Sequence, residues 1–91
     1  MGAAATFEEF AVKARRIFPD YQALDRALER QDFNDVGIIL RRESEVTIRP
    51  QIALDLFERG QRGELQRISR IAQMAGALLR QLQALTAQTQ A

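Results

Sequence analysis

The sequence contains no cysteine and no histidine among its 91 residues. Without cysteine the chain has no disulfide framework and no thiolate metal site, which is typical of a protein from a reducing compartment. Without histidine it also lacks the commonest general base and a common zinc ligand. Catalysis would depend on carboxylates, arginine, a single lysine and hydroxyl groups. We therefore expect no enzymatic activity, no cofactor, no metal and no small-molecule substrate.

Long apolar runs and a strong net charge are also missing. The longest apolar run covers residues 36–40 and is interrupted by Gly37, so no transmembrane segment is predicted. Residues 1–5 lack the basic start and the long apolar stretch of a signal peptide, which favours a cytoplasmic location without a membrane partner. Thirteen basic and twelve acidic residues give a net charge of +1, which argues against a generic nucleic-acid binder.

Helical periodicity dominates the first half of the chain. Thr6 and Glu9 have the spacing of a capping box, which predicts a helix that starts after Thr6 and ends before Pro19. Asp20 is the predicted cap of a second helix that ends near residue 30. Asp32, with Asp35 three residues later, is the predicted N-cap of a third helix.

The second half of the chain predicts two further helices. Residues 44–48 include a short β-branched run, which we interpret as an extended connector because a lone strand has no partner for a sheet. Pro50 suits the first turn of a fourth helix, and Gly60 suits its end. The segment 60–63 is predicted to be a turn in which both glycines are free to adopt positive φ. A long amphipathic helix from residue 64 to about residue 85 follows, and Gly76 is a candidate kink that would split it into two.

These elements predict an all-α fold, a compact antiparallel bundle of five to six helices. Residues 6–86 form its single domain, residues 1–5 are predicted to be a disordered N-terminus, and residues 87–91 a polar tail. Short turns favour antiparallel neighbours that cover one another. The predicted core comprises Phe7, Phe10, Ile17, Leu24, Leu28, Phe33, Val36, Ile39, Leu40, Ile52, Leu56, Phe57, Leu65, Ile68, Ile71, Leu78 and Leu82.

A family resemblance lies in the segment 53–65, where a helix ends in Leu56-Phe57 and Glu58, and a glycine turn leads to Leu65 at the start of the long helix. This arrangement resembles the death-fold superfamily, in particular the bacterial effector-associated and death-like domains, and is loosely similar to death effector domains. The resemblance covers roughly residues 18–82. The Arg-x-Asp-Leu motif that death effector domains carry near their last helix is absent, since Arg70 is followed by Ile-Ala-Gln.

The resemblance implies a death-like bundle that binds a protein partner, either a like domain or a second copy of itself, through patches of opposite charge. It thus implies an adaptor function, in bacterial defence signalling. The sequence offers candidate residues for such patches, although each also fits an ordinary solvated surface. The candidate protein-binding residues are Arg15, Arg16, Asp25, Glu29, Asp32, Asp35, Arg41, Arg42, Arg59 and Arg62.

Two other classes remain open. Residues 27–33 resemble the turn between paired helices of tetratricopeptide proteins, which favours a small helical-hairpin chaperone that holds a partner helix in a groove. Such a groove would leave apolar positions of the long helix, such as Leu79 or Leu85, uncovered. The segment 45–49 before two helices is weakly similar to a ribbon-helix-helix DNA binder, but such a strand normally starts a domain.

Overall fold

A computed structural model describes residues 6–45 and 49–90 of the chain. Their secondary structure is five α-helices without a strand, which confirms the all-α prediction. The helices are α1 (Phe7–Ile17), α2 (Gln22–Glu29), α3 (Phe33–Glu45), α4 (Pro50–Glu58) and α5 (Arg62–Gln90). Residues 1–5, which were predicted to be disordered, and residues 46–48 of the predicted connector lie outside the described residues.

Of the five predicted helix starts, those of α1, α3 and α4 are confirmed, and α5 begins at Arg62, two residues before its predicted start. The Thr6 hydroxyl accepts a hydrogen bond from the Glu9 amide at 3.1 Å, and the Asp32 carboxylate accepts one from the Asp35 amide, also at 3.1 Å. Pro50 occupies the first turn of α4. The predicted cap Asp20 is wrong, because this residue lies in the preceding turn with φ 61°, a left-handed conformation that aspartate tolerates. Tyr21 occupies the N-cap position of α2 and makes no side-chain capping bond.

Several predicted boundaries shift in the second half of the chain. Ser44 and Glu45, assigned to the connector, continue α3. Gly60 adopts φ 71° after the end of α4, as predicted, whereas Gly63 lies inside the first turn of α5 and does not share that conformation. α5 continues through Gly76 to Gln90, so no sixth helix forms within the described residues.

The core lies where α3 packs along α5, with α1 also against α5 and α2 against α3 and α1. Seven of the predicted core residues are buried: Phe10, Leu24, Leu28, Val36, Leu40, Leu78 and Leu82. Phe7, Ile17, Phe33, Ile39 and Ile71 are partly buried and pack against this cluster. The small residues Ala11, Ala14, Ala27 and Ala75 belong to the same cluster, and Ala72 is buried as well.

The prediction that α4 belongs to the core is wrong in part. Phe57 is 57% exposed, and α4 contains no buried residue. The reason is that α4 contacts α5 and no other described helix, so only one of its faces is covered. The remaining predicted core residues of this region, Ile52, Leu56, Leu65 and Ile68, are half-buried.

The overall dimensions are those of an elongated molecule. The principal extents are 47 × 22 × 20 Å, and the Cα radius of gyration is 14.7 Å. A compact domain of this length has a radius of gyration of about 12 Å. The 29 residues of α5 span about 43 Å at 1.5 Å per residue, so this one helix sets the length of the molecule.

Candidate protein-interaction surfaces

The first candidate surface is the α4 arm, defined as residues 49–62. On it, Leu54 and Phe57 are 56% and 57% exposed. Pro50, Leu54 and Phe57 follow one another at intervals of four and three residues, so they share one flank of the helix. Large apolar side chains on the same exposed flank form a patch of the kind that marks interaction sites.

Charged groups surround this patch. The Arg59 guanidinium pairs with the Asp55 carboxylate at 3.2 Å, one helical turn apart. The Arg62 guanidinium lies 5.5 Å from the centroid of the Phe57 ring, a cation–π contact that holds it beside the patch. Glu58 makes no ion pair with any described residue. The arm therefore combines two predicted site residues, Arg59 and Arg62, with an apolar patch and an unpaired carboxylate.

The second candidate surface is the α3–α5 groove, a cavity of about 500 Å³ between α3 and the C-terminal part of α5. Arg41 is the only charged residue in its lining, and Ile38 at its edge is 49% exposed. The lining residues are Phe33, Asn34, Gly37, Ile38, Arg41, Leu79, Leu82, Gln83, Thr86 and Ala87. The groove is thus mainly apolar, with amide and hydroxyl groups and one cation at its borders.

Three of the predicted charged residues, Arg15, Asp25 and Asp35, form ion pairs between neighbouring elements. Arg15 forms an ion pair with Asp25 at 3.5 Å, and Arg30 forms one with Asp35 at 3.6 Å. Arg16 and Glu29 are exposed. Arg15, Asp25 and Asp35 therefore have partners within the chain, although the resemblance implied that they face a protein partner.

The remaining predicted residues lie at the two ends of α3. Asp32 caps the helix through its bond to the Asp35 amide. Arg41 and Arg42 are exposed near the C-terminal end, and of the two only Arg41 lines the α3–α5 groove. The charge of Arg42 acts on Tyr21, whose pKa it lowers slightly against larger effects in the other direction. The two neighbouring arginines therefore have different surroundings: Arg41 borders the groove, and Arg42 lies near Tyr21.

A smaller cavity of about 240 Å³ contains the only tyrosine of the chain. The Tyr21 hydroxyl donates a hydrogen bond to the Glu43 carboxylate at 3.2 Å. Burial raises the pKa of Tyr21 above its ordinary value of 10.0, and the negative charge of Glu43 and this hydrogen bond raise it further. Since Tyr21 precedes α2 and Glu43 belongs to α3, the bond links two elements of the core.

On the surface of α5, Arg67 donates hydrogen bonds to Glu64. These bonds lower the pKa of the Glu64 carboxyl and raise the pKa of the Arg67 guanidinium. Both groups are exposed to solvent, so the pair fits an ordinary surface contact within one helix.

None of the helices in the described ranges has the length and apolarity to cross a membrane. The same residues contain no group of three or more acidic side chains placed to hold a metal ion. Comparison of the chain with protein-family models, with curated proteins and with solved structures gave no match.

Sequence reasoning missed the exposed patch of α4, and it did not locate the α3–α5 groove, although the chaperone hypothesis expected Leu79 to be an uncovered position. A signal for the first was present, since five of the nine residues of α4 are apolar and they extend around more than one face of the helix. No comparable signal marked the groove. Leu79 and Leu82 belong to the same apolar stripe as the core positions, and only the placement of α3 determines which of them border a cavity.

Proposed function

We propose that this chain is a protein-interaction domain that acts as an adaptor, and that the α4 arm is its main contact surface. The observation that carries the proposal is that α4 has no buried residue although five of its nine residues are apolar. A helix of this composition gains most of its stability from burial of its apolar side chains, and α5 covers only one side of it. A partner that covers Leu54 and Phe57 supplies the missing contact.

The charged patches are the weaker candidate for the main contact. Four of the ten predicted site residues, Arg15, Asp25, Asp35 and Arg59, are in ion pairs within the chain. A partner would have to replace these pairs, and exposed ion pairs contribute little net energy. Charges at the border of the arm fit a role in specificity and association rate.

The experiment compares the wild-type chain with a variant in which both Leu54 and Phe57 are changed to serine. We expect the wild-type chain to self-associate in sedimentation equilibrium, or to bind a defined helical partner domain, and we expect the double variant to lose at least ten-fold in affinity. Val12→Ser is the matched control, because Val12 is also 56% exposed but lies on α1. Equal affinities of the wild-type chain and the double variant would contradict the proposal, provided that thermal melts show both to be folded.

A helical-hairpin chaperone is the second candidate function, and the α3–α5 groove favours it. Leu79 lines this groove, as the chaperone hypothesis expects for an uncovered position of the long helix, although both Leu79 and Leu85 are partly buried against the core. This function predicts binding of a foreign amphipathic helix with little dependence on salt. The death-like fold, the role in defence signalling and the cytoplasmic location stay predictions from the sequence.

A further inference from the structure

The α4 arm and the α3–α5 groove have complementary properties. The arm carries exposed apolar side chains, Leu54 and Phe57, beside the unpaired carboxylate of Glu58. The groove has an apolar floor beside the guanidinium of Arg41, which likewise makes no ion pair with a described residue. The arm therefore offers exposed apolar side chains beside a carboxylate, and the groove offers an apolar floor beside a cation.

The two surfaces are too far apart to meet within one molecule. The arm lies beside the start of α5, while the groove is lined by residues 79–87 near its end. Leu65 and Leu82 are 17 positions apart on α5, which corresponds to about 25 Å along a helix. α4 also makes no contact with α3, which forms the other wall of the groove. An arm that enters a groove must come from another copy of the chain.

Gly37 lies in the lining of the groove and leaves room on its floor. Glycine inside a helix is destabilising compared with alanine. A Cβ atom at this position would meet only Leu82 Cδ2, at an ordinary distance of 3.7 Å, so the packing of α3 on α5 does not require glycine. The missing side chain instead leaves the floor of the groove open.

We infer that the α4 arm of one copy occupies the α3–α5 groove of a second copy, with Leu54 and Phe57 on the groove floor and Glu58 paired with Arg41. This inference rests on the proposed function, because it names the partner of the arm. Two copies arranged antiparallel along α5 fill both grooves at once and close as a dimer. If the geometry does not close, the same contact continues from copy to copy as a longer assembly.

Disulfide trapping tests this contact directly, because the chain has no cysteine of its own. A Leu54→Cys variant and a Gln83→Cys variant are mixed in equal amounts and oxidised, and mass spectrometry identifies the products. We expect a linked product that contains one chain of each kind. Val12→Cys mixed with Gln83→Cys is the matched control, since Val12 is equally exposed but lies outside the arm. Trapping at the rate of this control overturns the inference.

A charge swap tests the proposed pair of Glu58 and Arg41. We expect Glu58→Arg and Arg41→Glu each to weaken self-association several-fold, and the combination of the two variants to restore it. Arg42→Glu is the control for Arg41→Glu, because Arg42 is an exposed neighbour that does not line the groove. Additive losses in the combined variant count against the pair.

Gly37→Ala tests the role of the groove in self-association without a loss of fold stability. The added methyl group lies on the groove floor, so we expect weaker self-association while the thermal midpoint stays the same or rises. If Leu54→Ser with Phe57→Ser abolishes binding to a partner while the groove variants change nothing, the arm has another occupant, so the proposed function stands and this inference fails. If neither set of variants affects association, both fail.

Discussion

Asp32 has the structural role that its position before α3 predicted. Its carboxylate caps α3 by accepting the Asp35 amide hydrogen. We predict that Asp32→Ala lowers the free energy of unfolding by about 1 kcal/mol, the usual cost of losing such a cap. Urea denaturation measures this loss. Glu29→Ala, an exposed acid nearby without an ion pair, is the control, and an equal effect of the two variants would show that charge rather than capping is responsible.

Tyr21 gives a second prediction at the scale of the residue. Its pKa is raised by burial first and by Glu43 second. Because the folded protein favours the neutral hydroxyl, this site stabilises the fold below pH 10, and the contribution is lost as the pH rises through the higher pKa of the folded state. The chain has one tyrosine and no tryptophan, so absorbance near 295 nm reports this group alone.

We expect a tyrosine titration midpoint above 10.0 in the folded chain, and a lower midpoint in Glu43→Gln, which removes the negative charge beside the hydroxyl. Glu45→Gln on the same helix is the control, because Glu45 does not bond to Tyr21. A midpoint that does not respond to Glu43→Gln would show that the hydrogen bond does not form in solution.

At the scale of the element, loss of a large side chain should lower the free energy of unfolding less in α4 than in the centre of α5. Leu78 is 1% exposed, so Leu78→Ala leaves a cavity and should cost about 2–5 kcal/mol. Phe57 is 57% exposed, so we expect Phe57→Ala to cost less than about 1 kcal/mol. Chemical denaturation of both variants measures the difference. Equal losses would place Phe57 in the core, as the sequence pattern first indicated.

The helices whose start depends on a local signal were predictable from sequence. Thr6, Asp32 and Pro50 act on backbone groups within their own turn, so their effect does not depend on the rest of the fold. The surroundings of Phe57 were not predictable, because they depend on how many helices contact α4. The position of the α3–α5 groove was not predictable for the same reason, since its walls come from residues 33–41 and residues 79–87, which are distant in the sequence.

At the scale of the whole molecule, the length of α5 gives a prediction that separates this structure from a compact bundle. Small-angle X-ray scattering, extrapolated to low concentration, should give a radius of gyration near 15 Å, in line with 14.7 Å for the Cα atoms. A compact domain of 91 residues would give about 12 Å. Because self-association also raises this value, the measurement uses the variant with serine at Leu54 and Phe57, and a value near 12 Å would contradict the elongated shape.

The absence of buried residues in α4 has a consequence for how this protein can evolve. Most changes in a protein core are removed by selection because they unfold the chain, and a binding surface built from core residues inherits that constraint. The outer positions of α4, Leu54 and Phe57 among them, contribute little to the core. Mutations there cost little stability, so under the proposed function lineages carrying this fold are free to diverge in what they recognise while the α1, α2, α3 and α5 scaffold stays the same.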